Sequence, residues 1–282
     1  MLKRLKSTAR GVTSRFATAP LKLIGDRMRA EAIEILSNRM IVEKFVPGGK
    51  LKFFAPSTLL QDRAANVLTK EPDMIAWIDG IGNDAVLWDI GANVGVFSLY
   101  AAVRKNCRVL SFEPSAANFF VLARNIELNG LSERITAYCL ALSGATELGV
   151  LNLSSASMGA AMSQFGRPGE TSRYWIGNSD TTCHGMLGFT IDELIARFNP
   201  PFPTHIKMDV DGLEWSILQG ATKTFSDSRL QAAMVELSLT DCEERERAMV
   251  YLERLGLKFV AHGASQGTSN GRAANHLFER PL

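Results

Sequence analysis

One segment of the sequence combines an acidic residue with glycines at the spacing of a cofactor-binding turn. In WDIGANVGVFSLYAA, residues 88–102, an apolar run ends in Asp89 and continues through Gly91, Asn93 and Gly95 into a helical pattern. Glycines at a strand-to-helix turn let the backbone approach a ligand, and the new helix offers unpaired N–H groups. The dinucleotide fingerprint differs, because it has a third glycine and no acid before the first. The acid would repel a pyrophosphate and attract an ammonium group, so the segment predicts a nucleotide-like cofactor with an amino-acid end.

A second acid follows at the end of the next apolar run. Glu113 lies in SFEPSAANF, 18 residues after Gly95. Doubly wound folds place the acid that binds a ribose diol at about this distance from the glycine turn. The pair Asp89 and Glu113 therefore suits a cofactor with an amino-acid end and a nucleoside end. The alternative is that each acid only caps the helix that follows it.

Four further carboxylates are expected close together at two neighbouring strand ends: Asp209, Asp211, Glu214 and Glu236. Such a group suits either a divalent cation or removal of a proton from a hydroxyl group. The pattern does not require a metal. For Glu214 an alternative role is to favour the N-terminal dipole of the helix on which it lies.

The elements that must position these residues follow the pattern of a parallel sheet with helices on both faces, an α/β doubly wound fold. Apolar runs of strand length are separated by segments with helical periodicity. The predicted strands are 86–90, 108–112, 135–140, 205–210, 232–239, 257–261 and 274–280, and the predicted helices between them are 94–104, 116–129, 213–225 and 242–255.

The segment 143–188 breaks this alternation. Apart from a strand-like run at 148–153 it shows no periodicity, and we predict an irregular insertion that acts as a substrate loop. His184 lies in this insertion and is a candidate general base, because its ordinary pKa is close to neutral. A solvated, non-catalytic histidine is the alternative. His262 and His276, at predicted strand ends, are weaker candidates.

Composition and charge limit the classes of function. The chain has 282 residues, 46% of them hydrophobic, with a net charge of +2. Eight basic residues and one acid fall in the first 30 positions, which leaves the rest of the chain with 23 bases and 28 acids. A body that is net acidic does not favour binding to nucleic-acid phosphates. The four dispersed cysteines fit neither a zinc site nor a disulfide framework, and they favour a cytoplasmic protein. We predict no transmembrane helix, because the one long apolar stretch, 86–103, contains Asp89, Asn93 and two glycines.

We predict three regions: a basic amphipathic arm at 1–25, an N-terminal cap at 26–84 and the catalytic domain at 85–282. Apolar residues recur at helical spacing in the arm, with Lys and Arg at the positions between them. Three interpretations remain open for residues 1–20. The arm is a terminal helix folded on the body, a peripheral membrane contact, or a cleaved organellar transit peptide.

Together these motifs resemble the FkbM family of S-adenosylmethionine-dependent methyltransferases, over about residues 85–281. Beside the two motifs at Asp89 and Glu113, the similarity includes NIELNGL at 125–131 and NHLFERP at 275–281. It includes also HIKMDVDGLEWSILQGA at 205–221, where Asp211 replaces the glutamate usual in the family.

The resemblance implies a seven-stranded sheet in the order 3-2-1-4-5-7-6 with the last strand antiparallel. It implies that S-adenosyl-L-methionine is the cofactor and that Asp209 faces both its sulfonium and the acceptor. The methionine part would be surrounded by Asp89, Gly91, Asn93 and Gly95, the ribose would be held by Glu113, and the adenine would lie against Ala141, Leu142 and Ser143.

The function predicted from the sequence is O-methylation of a hydroxyl group on a glycan, a sugar or a small-molecule natural product. Asp209 or His184 would remove the proton, and no nucleic-acid partner is expected. Two alternatives are a non-catalytic adenosylmethionine-fold docking protein and a nucleic-acid methyltransferase. The oligomeric state stays open.

Overall fold

The computed structural model describes residues 25–167, 182–263 and 273–281. They belong to two compact units that divide after Ile41. The arm at 1–24 lies outside the described residues. In chain order the elements are α1 (Asp26–Arg39), β1 (Ile41–Val46), β2 (Gly49–Phe54), α2 (Thr58–Ala65), α3 (Pro72–Gly80), β3 (Val86–Ile90), α4 (Val96–Lys105), β4 (Arg108–Phe112), α5 (Ala116–Leu128), β5 (Ile135–Tyr138), β6 (Ala141–Leu142), β7 (Glu147–Leu153), β8 (Gln164–Gly166), β9 (Thr182–Phe189), α6 (Ile191–Phe198), β10 (His205–Met208), α7 (Glu214–Gln219), α8 (Thr222–Ser226), β11 (Ala232–Ser238), α9 (Cys242–Arg254), β12 (Lys258–His262) and β13 (Ala273–Glu279).

A seven-stranded sheet forms the centre of the second unit, in the order β12-β13-β11-β10-β3-β4-β5. The strands β5, β4, β3, β10 and β11 pair in parallel, and β13 runs antiparallel between β11 and β12. This arrangement confirms the predicted α/β fold and the predicted strand order. The strand order switches direction at β3. Strands β4 and β5 are added on one side of β3, and β10 is added on the other side.

Alternation along the buried strands divides the core between the two faces of the sheet. Leu87 and Val109 pack with one core cluster, while Trp88, Ile90 and Ile206 pack with the other. Asp89 therefore shares a face with Leu87. This face packs against α4. The Asp89 carboxylate therefore points toward α4.

The segment predicted as one helix, 213–225, is two short helices, α7 and α8, that are separated at Gly220. A Cβ on Gly220 would lie 2.8 Å from the carbonyl oxygen of Ser143. The close approach of the two backbones explains both the glycine and the break.

The prediction of an irregular insertion at 143–188 is only partly right. The strand-like run at 148–153 is confirmed as β7, and residues 154–163 are irregular, but β8 and β9 are two strands that the sequence did not predict, and the three form part of a second sheet. This sheet has the order β6-β9-β7-β8, with β7 paired antiparallel to β8 and β9. Three glycines, Gly149, Gly185 and Gly188, weaken the strand pattern of β7 and β9. A Cβ on Gly149 or Gly188 would lie 2.8 or 2.6 Å from the Phe165 ring, so these two glycines make room for an aromatic side chain.

The N-terminal hairpin of β1 and β2 is fixed to α5 by two asparagines one helical turn apart. The side-chain oxygen of Asn125 accepts the N–H of Phe54 at 2.7 Å, and that of Asn129 accepts the N–H of Lys52 at 2.8 Å. Asn125 also donates to the carbonyl oxygen of Val94 at 2.8 Å. The NIELN motif thus connects the hairpin to the glycine turn. Among the described helices, none is long and apolar enough to span a membrane.

Candidate functional site

A cavity of about 800 Å³ opens at the carboxyl ends of the central strands, beside β3 where the chain order reverses. In open α/β sheets this is where ligands bind. Nine of the residues that the sequence predicts for the site line the cavity, and they are Gly91, Asn93, Glu113, Ala141, Leu142, Asp209, Asp211, Glu214 and Glu236.

The glycines of the turn after β3 are required by the packing of the protein itself. Gly91 and Gly95 have φ values of 78° and 84°, in the left-handed region. A Cβ on Gly91 would lie 1.8 Å from the carbonyl oxygen of Asp209, and one on Gly95 would lie 2.4 Å from the side chain of Leu122. Gly91 lets β10 end against β3 at the cavity. Gly95 is not part of the cavity wall, and it begins α4 instead.

Asp89 faces the core rather than the cavity. It is fully buried, and its carboxylate accepts a hydrogen bond from Ser98 Oγ at 2.5 Å and pairs with Lys207 Nζ at 3.1 Å. Lys207 Nζ also lies 3.3 Å from the carbonyl oxygen of Gly91 and 3.7 Å from Asp209 Oδ2. Burial disfavours the charge of Lys207, but Asp89 and Asp209 raise its pKa overall. Asp89 does not line the cavity.

Glu113 lies at the cavity wall, 5% exposed, at the carboxyl end of β4. It accepts backbone hydrogen bonds from Asn93 at 2.8 Å and Ser115 at 2.9 Å. Asn118 Nδ2 donates to it at 3.3 Å. Burial raises the pKa of Glu113 to about 7, although these hydrogen bonds oppose the shift. A carboxylate has about four lone pairs, so Glu113 can still accept hydrogen bonds from the hydroxyl groups of a ligand.

The cavity is bordered by a loop that Asn93 and Asn118 hold. Both side chains donate to the carbonyl oxygen of Ala160, at 2.9 and 3.0 Å. Asn118 Oδ1 also accepts the N–H of Gly159 at 2.8 Å. The remaining oxygen, Asn93 Oδ1, is buried and has no hydrogen-bond partner among the described residues. A buried acceptor without a donor is the kind of group that a bound ligand satisfies.

The segment after β10 is a tight turn closed by Glu214. Asp211 and Gly212 have φ values of 59° and 104°. Glu214 accepts the backbone N–H groups of Val210 and Gly212, each at 3.0 Å. Burial raises the pKa of Glu214 to about 8. Glu214 therefore shapes the turn that presents Asp209 and Asp211, which is more than the dipole role proposed for it as an alternative.

Asp209, Asp211 and Glu236 bring carboxylate oxygens within 4.8 Å of one another. Burial, followed by the charge of Asp209, raises the pKa of Asp211 to about 6 and that of Glu236 to about 10. The Asp209 side chain is 25% exposed and lies at the cavity wall. These three groups form the most acidic part of the cavity.

The cavity lining also has an apolar part, which comes from the second sheet. Ala141, Leu142, Leu151 and Phe165 line it. Ser143, predicted to lie with them, is not part of the lining, and its N–H donates to the carbonyl oxygen of Phe189 at 2.8 Å.

The histidine candidates do not line the cavity. His184 lies on β9, opposite Leu151 of β7, with Nε2 buried and without a hydrogen-bond partner among the described residues. His276 is buried on β13, and its Nδ1 lies 2.9 Å from the carbonyl oxygen of Ala274. His262, on β12, is exposed.

Three basic residues that line the cavity were not predicted from the sequence. Arg63 and Lys70 come from α2 and the residues after it, and Arg245 comes from α9. Arg63 Nε donates to the carbonyl oxygen of Gly159 at 2.8 Å, and burial lowers its pKa despite the nearby Asp209, Asp211 and Glu113. No local sequence pattern marks Arg63 and Lys70, because only the packing of the cap brings them to the cavity.

The residues present fit an adenosyl amino-acid cofactor at one end of the cavity. Glu113 is an acceptor for ribose hydroxyls, Ala141 and Leu142 offer an apolar wall for a base, and Asn93 Oδ1 is a buried acceptor without a partner. Asp89, Gly95 and Ser143 do not line the cavity. The lining therefore fits the cofactor predicted from the sequence, while these three predicted contacts lie outside it.

Comparison with known proteins identifies the family. A model described as the methyltransferase FkbM domain matches residues 89–259, more than half of the chain. No curated protein matches the sequence.

Three solved structures illustrate the structural similarity. Methyltransferase FkbM from Methylobacillus flagellatus KT is 18% identical, with a TM-score of 0.46 over 89% of this chain and 59% of that one. A putative transferase from Pyrococcus horikoshii is 13% identical, with a TM-score of 0.46 over 86% and 73% of the two chains. Magnesium protoporphyrin IX methyltransferase from Synechocystis PCC 6803, solved with bound SAM, is 11% identical, with a TM-score of 0.46 over 80% and 85%.

The chain thus spans 59% of the FkbM structure, and the family assignment depends on the match to residues 89–259. This match includes the glycine turn, Glu113 and the segment after β10. The chain belongs to the FkbM family of S-adenosylmethionine-dependent methyltransferases.

Proposed function

We propose that the protein is an O-methyltransferase that acts on a hydroxyl group of a glycan, a sugar or a small-molecule natural product. The observation that carries the proposal is the mixed lining of the cavity. Glu113 and the apolar residues Ala141 and Leu142 suit the cofactor. The carboxylates Asp209, Asp211 and Glu236, which form the acidic end of the cavity, suit an acceptor that must lose a proton.

When bound, S-adenosyl-L-methionine supplies an activated methyl group. Glu113 would accept hydrogen bonds from the ribose hydroxyls, and Asn93 Oδ1 would accept one from the methionine part. Asp209 would orient the acceptor hydroxyl and take its proton. Lys207, which lies 3.7 Å from Asp209 Oδ2, would keep that carboxylate in place.

The charges at the acidic end support an acceptor without phosphates. Among the described residues, the six carboxylates that line the cavity outnumber its three basic side chains. The carboxylates are Glu113, Asp209, Asp211, Glu214, Glu236 and Glu244, and the basic residues are Arg63, Lys70 and Arg245. A phosphate-rich chain would meet repulsion at the acidic end. A neutral polyhydroxylated molecule would meet hydrogen-bond acceptors instead. The absence of disulfides among Cys107, Cys139, Cys183 and Cys242 supports a cytoplasmic location.

The test is to incubate the purified protein and trideuteromethyl-labelled cofactor with an extract of cells that lack the gene. Mass spectrometry of small molecules, glycans and RNA then locates the label. We expect the label on an oxygen of a hydroxylated small molecule or glycan. Label in RNA would contradict the proposal and favour a nucleic-acid methyltransferase. No label in any fraction, with S-adenosylhomocysteine still bound, would favour a non-catalytic docking protein.

A further inference from the structure

The acidic end of the cavity has the geometry of a cation site. One oxygen from each of Asp209, Asp211 and Glu236 lies within 4.8 Å of the other two. Around an octahedral ion with metal–oxygen distances of about 2.1 Å, ligand oxygens are separated by about 3 Å at neighbouring positions and about 4.2 Å at opposite ones. Small side-chain rotations would therefore bring all three oxygens onto one ion.

Glu214, the fourth carboxylate of the region, has no oxygen in this group. Both of its oxygens accept backbone hydrogen bonds from the turn that carries Asp211. Asp211 Oδ2 accepts the N–H of Met162 at 2.6 Å, so Asp211 is held in place with its other oxygen still open. The fold thus uses one carboxylate to shape the site and leaves three at the cavity.

The environment of Glu236 points to a missing ligand. It is 6% exposed and lines the cavity, and it has no hydrogen bond or ion pair with any described residue. The other buried carboxylates of the site differ, since Asp89 and Glu113 each accept hydrogen bonds from the protein. A buried carboxylate normally has a donor or a cation beside it.

The nearby side chains of Lys207 and Arg63 do not pair with Glu236. Lys207 Nζ is closer to Asp89, at 3.1 Å, than to Asp209, at 3.7 Å. Arg63 Nε donates to the carbonyl oxygen of Gly159. No ion pair joins either of them to Glu236 within the described part of the chain.

We propose that Asp209, Asp211 and Glu236 bind one divalent cation, Mg²⁺ or Mn²⁺, at the acidic end of the cavity. An all-oxygen carboxylate site suits these hard cations. The three protein ligands leave coordination positions that face the cavity, where a hydroxyl oxygen of the acceptor binds. This last role rests on the proposed function, whereas the cation site does not.

The experiment measures Mn²⁺ binding to the chelator-treated full chain by electron paramagnetic resonance, without cofactor or acceptor. We expect one Mn²⁺ per chain, displaced by excess Mg²⁺. Glu236→Gln keeps the shape of the side chain and removes its charge, so it should weaken binding at least tenfold. Glu243→Gln removes an exposed carboxylate of α9 that does not line the cavity, and it should leave binding unchanged.

Melting curves in chelator show whether Glu236→Gln is folded. A variant that melts at or above the wild-type temperature while losing Mn²⁺ supports a ligand role. If this variant does not fold, Asp211→Asn, which keeps the side-chain shape in a left-handed position, should give the same loss of binding.

Absence of Mn²⁺ binding at millimolar concentration in the wild-type protein would overturn the proposal, as would equal binding in Glu236→Gln and Glu243→Gln. The proposed function is tested separately from the cation site. Labelled product formed in the presence of chelator would support methyl transfer and reject the role of the cation in binding the acceptor, whereas Mn²⁺ binding without any labelled product would support the cation site alone.

Discussion

At the scale of single residues, two acids that look equivalent in the sequence have different environments. Asp89 and Glu113 both lie at the end of a parallel strand, but only Glu113 lines the cavity. A strand end predicts the edge of the sheet and not the direction of the side chain. The direction of Asp89 follows from alternation along β3, and its partner Lys207 lies on a strand more than 100 residues later, so the sequence alone did not reveal the pair.

Glu113→Ala should weaken the binding of S-adenosylhomocysteine roughly tenfold or more, because a ribose diol would lose its charged acceptor, which costs about 1.5 to 3 kcal/mol. It should also lower the melting temperature, since the N–H groups of Asn93 and Ser115 lose their partner. Calorimetry provides the affinity. Glu127→Ala, an exposed position on α5, serves as the control. Unchanged affinity in folded Glu113→Ala would remove Glu113 from the cofactor site.

Asp209→Asn should leave S-adenosylhomocysteine binding within a few-fold and reduce turnover by about 10² to 10⁴. The reason is that asparagine keeps the shape of the side chain but neither accepts a proton nor binds a cation well. Turnover is measured on the labelled acceptor. The exposed Asp84→Asn should behave as wild type. If Asp209→Asn were fully active, the proton would have to go to another group.

At the scale of elements, the second sheet shows how glycines conceal strands. Gly149 and Gly188 look like breakers in the sequence, yet in the structure they leave space for the ring of Phe165, which lines the cavity. The feature that explains these glycines is the ring of Phe165 on β8. It is a tertiary property, and a pattern of hydrophobicity along one segment does not contain it.

Gly188→Ala should destabilise the protein by about 1 to 3 kcal/mol, because the added methyl group would lie 2.6 Å from the Phe165 ring and overpack the site. Gly185→Ala, three residues earlier on the same strand, meets no atom within 4 Å. It should be neutral or nearly so. Urea unfolding of both variants gives the comparison, and equal stabilities would contradict the packing role of Gly188.

His205, the first residue of β10, should make the protein less stable in acid. It is 8% exposed, and burial lowers its pKa to about 4. Between the unfolded pKa of about 6.5 and the folded value, only the unfolded chain binds the proton, so falling pH favours unfolding. The loss at pH 5 is about 2 kcal/mol.

Comparing urea unfolding at pH 7 and pH 5 tests this effect. His205→Gln should lose less stability than the wild type over this interval, because the group that titrates is absent. His262→Gln, at an exposed position, should change with pH as the wild type does. The same pH dependence in His205→Gln and the wild type would place the acid sensitivity elsewhere.

At the scale of the whole molecule, the described residues that line the cavity begin at Arg63. Deleting residues 1–20 should therefore leave the affinity for S-adenosylhomocysteine unchanged. If the arm is a membrane contact, the same deletion should abolish sedimentation with phosphatidylserine vesicles, and salt should weaken the binding of the full chain. Equal sedimentation of both forms would remove the membrane interpretation.

The sequence predicts the central sheet well, since each of its strands is an apolar run between segments of helical periodicity. Predicted ends such as 140 and 210 extend past Tyr138 and Met208 by two residues, because polar and small residues after a strand do not mark where pairing stops. The contribution of the cap to the site was not predictable. Arg63 and Lys70 reach the cavity through packing between distant segments.

The hairpin contacts of Asn125 and Asn129 have a consequence for the behaviour of the protein at high concentration. An open strand edge is a template on which another chain can add a strand and begin aggregation. Along β2 the N–H groups of Lys52 and Phe54 and the carbonyl oxygen of Lys52 are already bonded to these side chains. The asparagines therefore close the edge of the hairpin against strand addition.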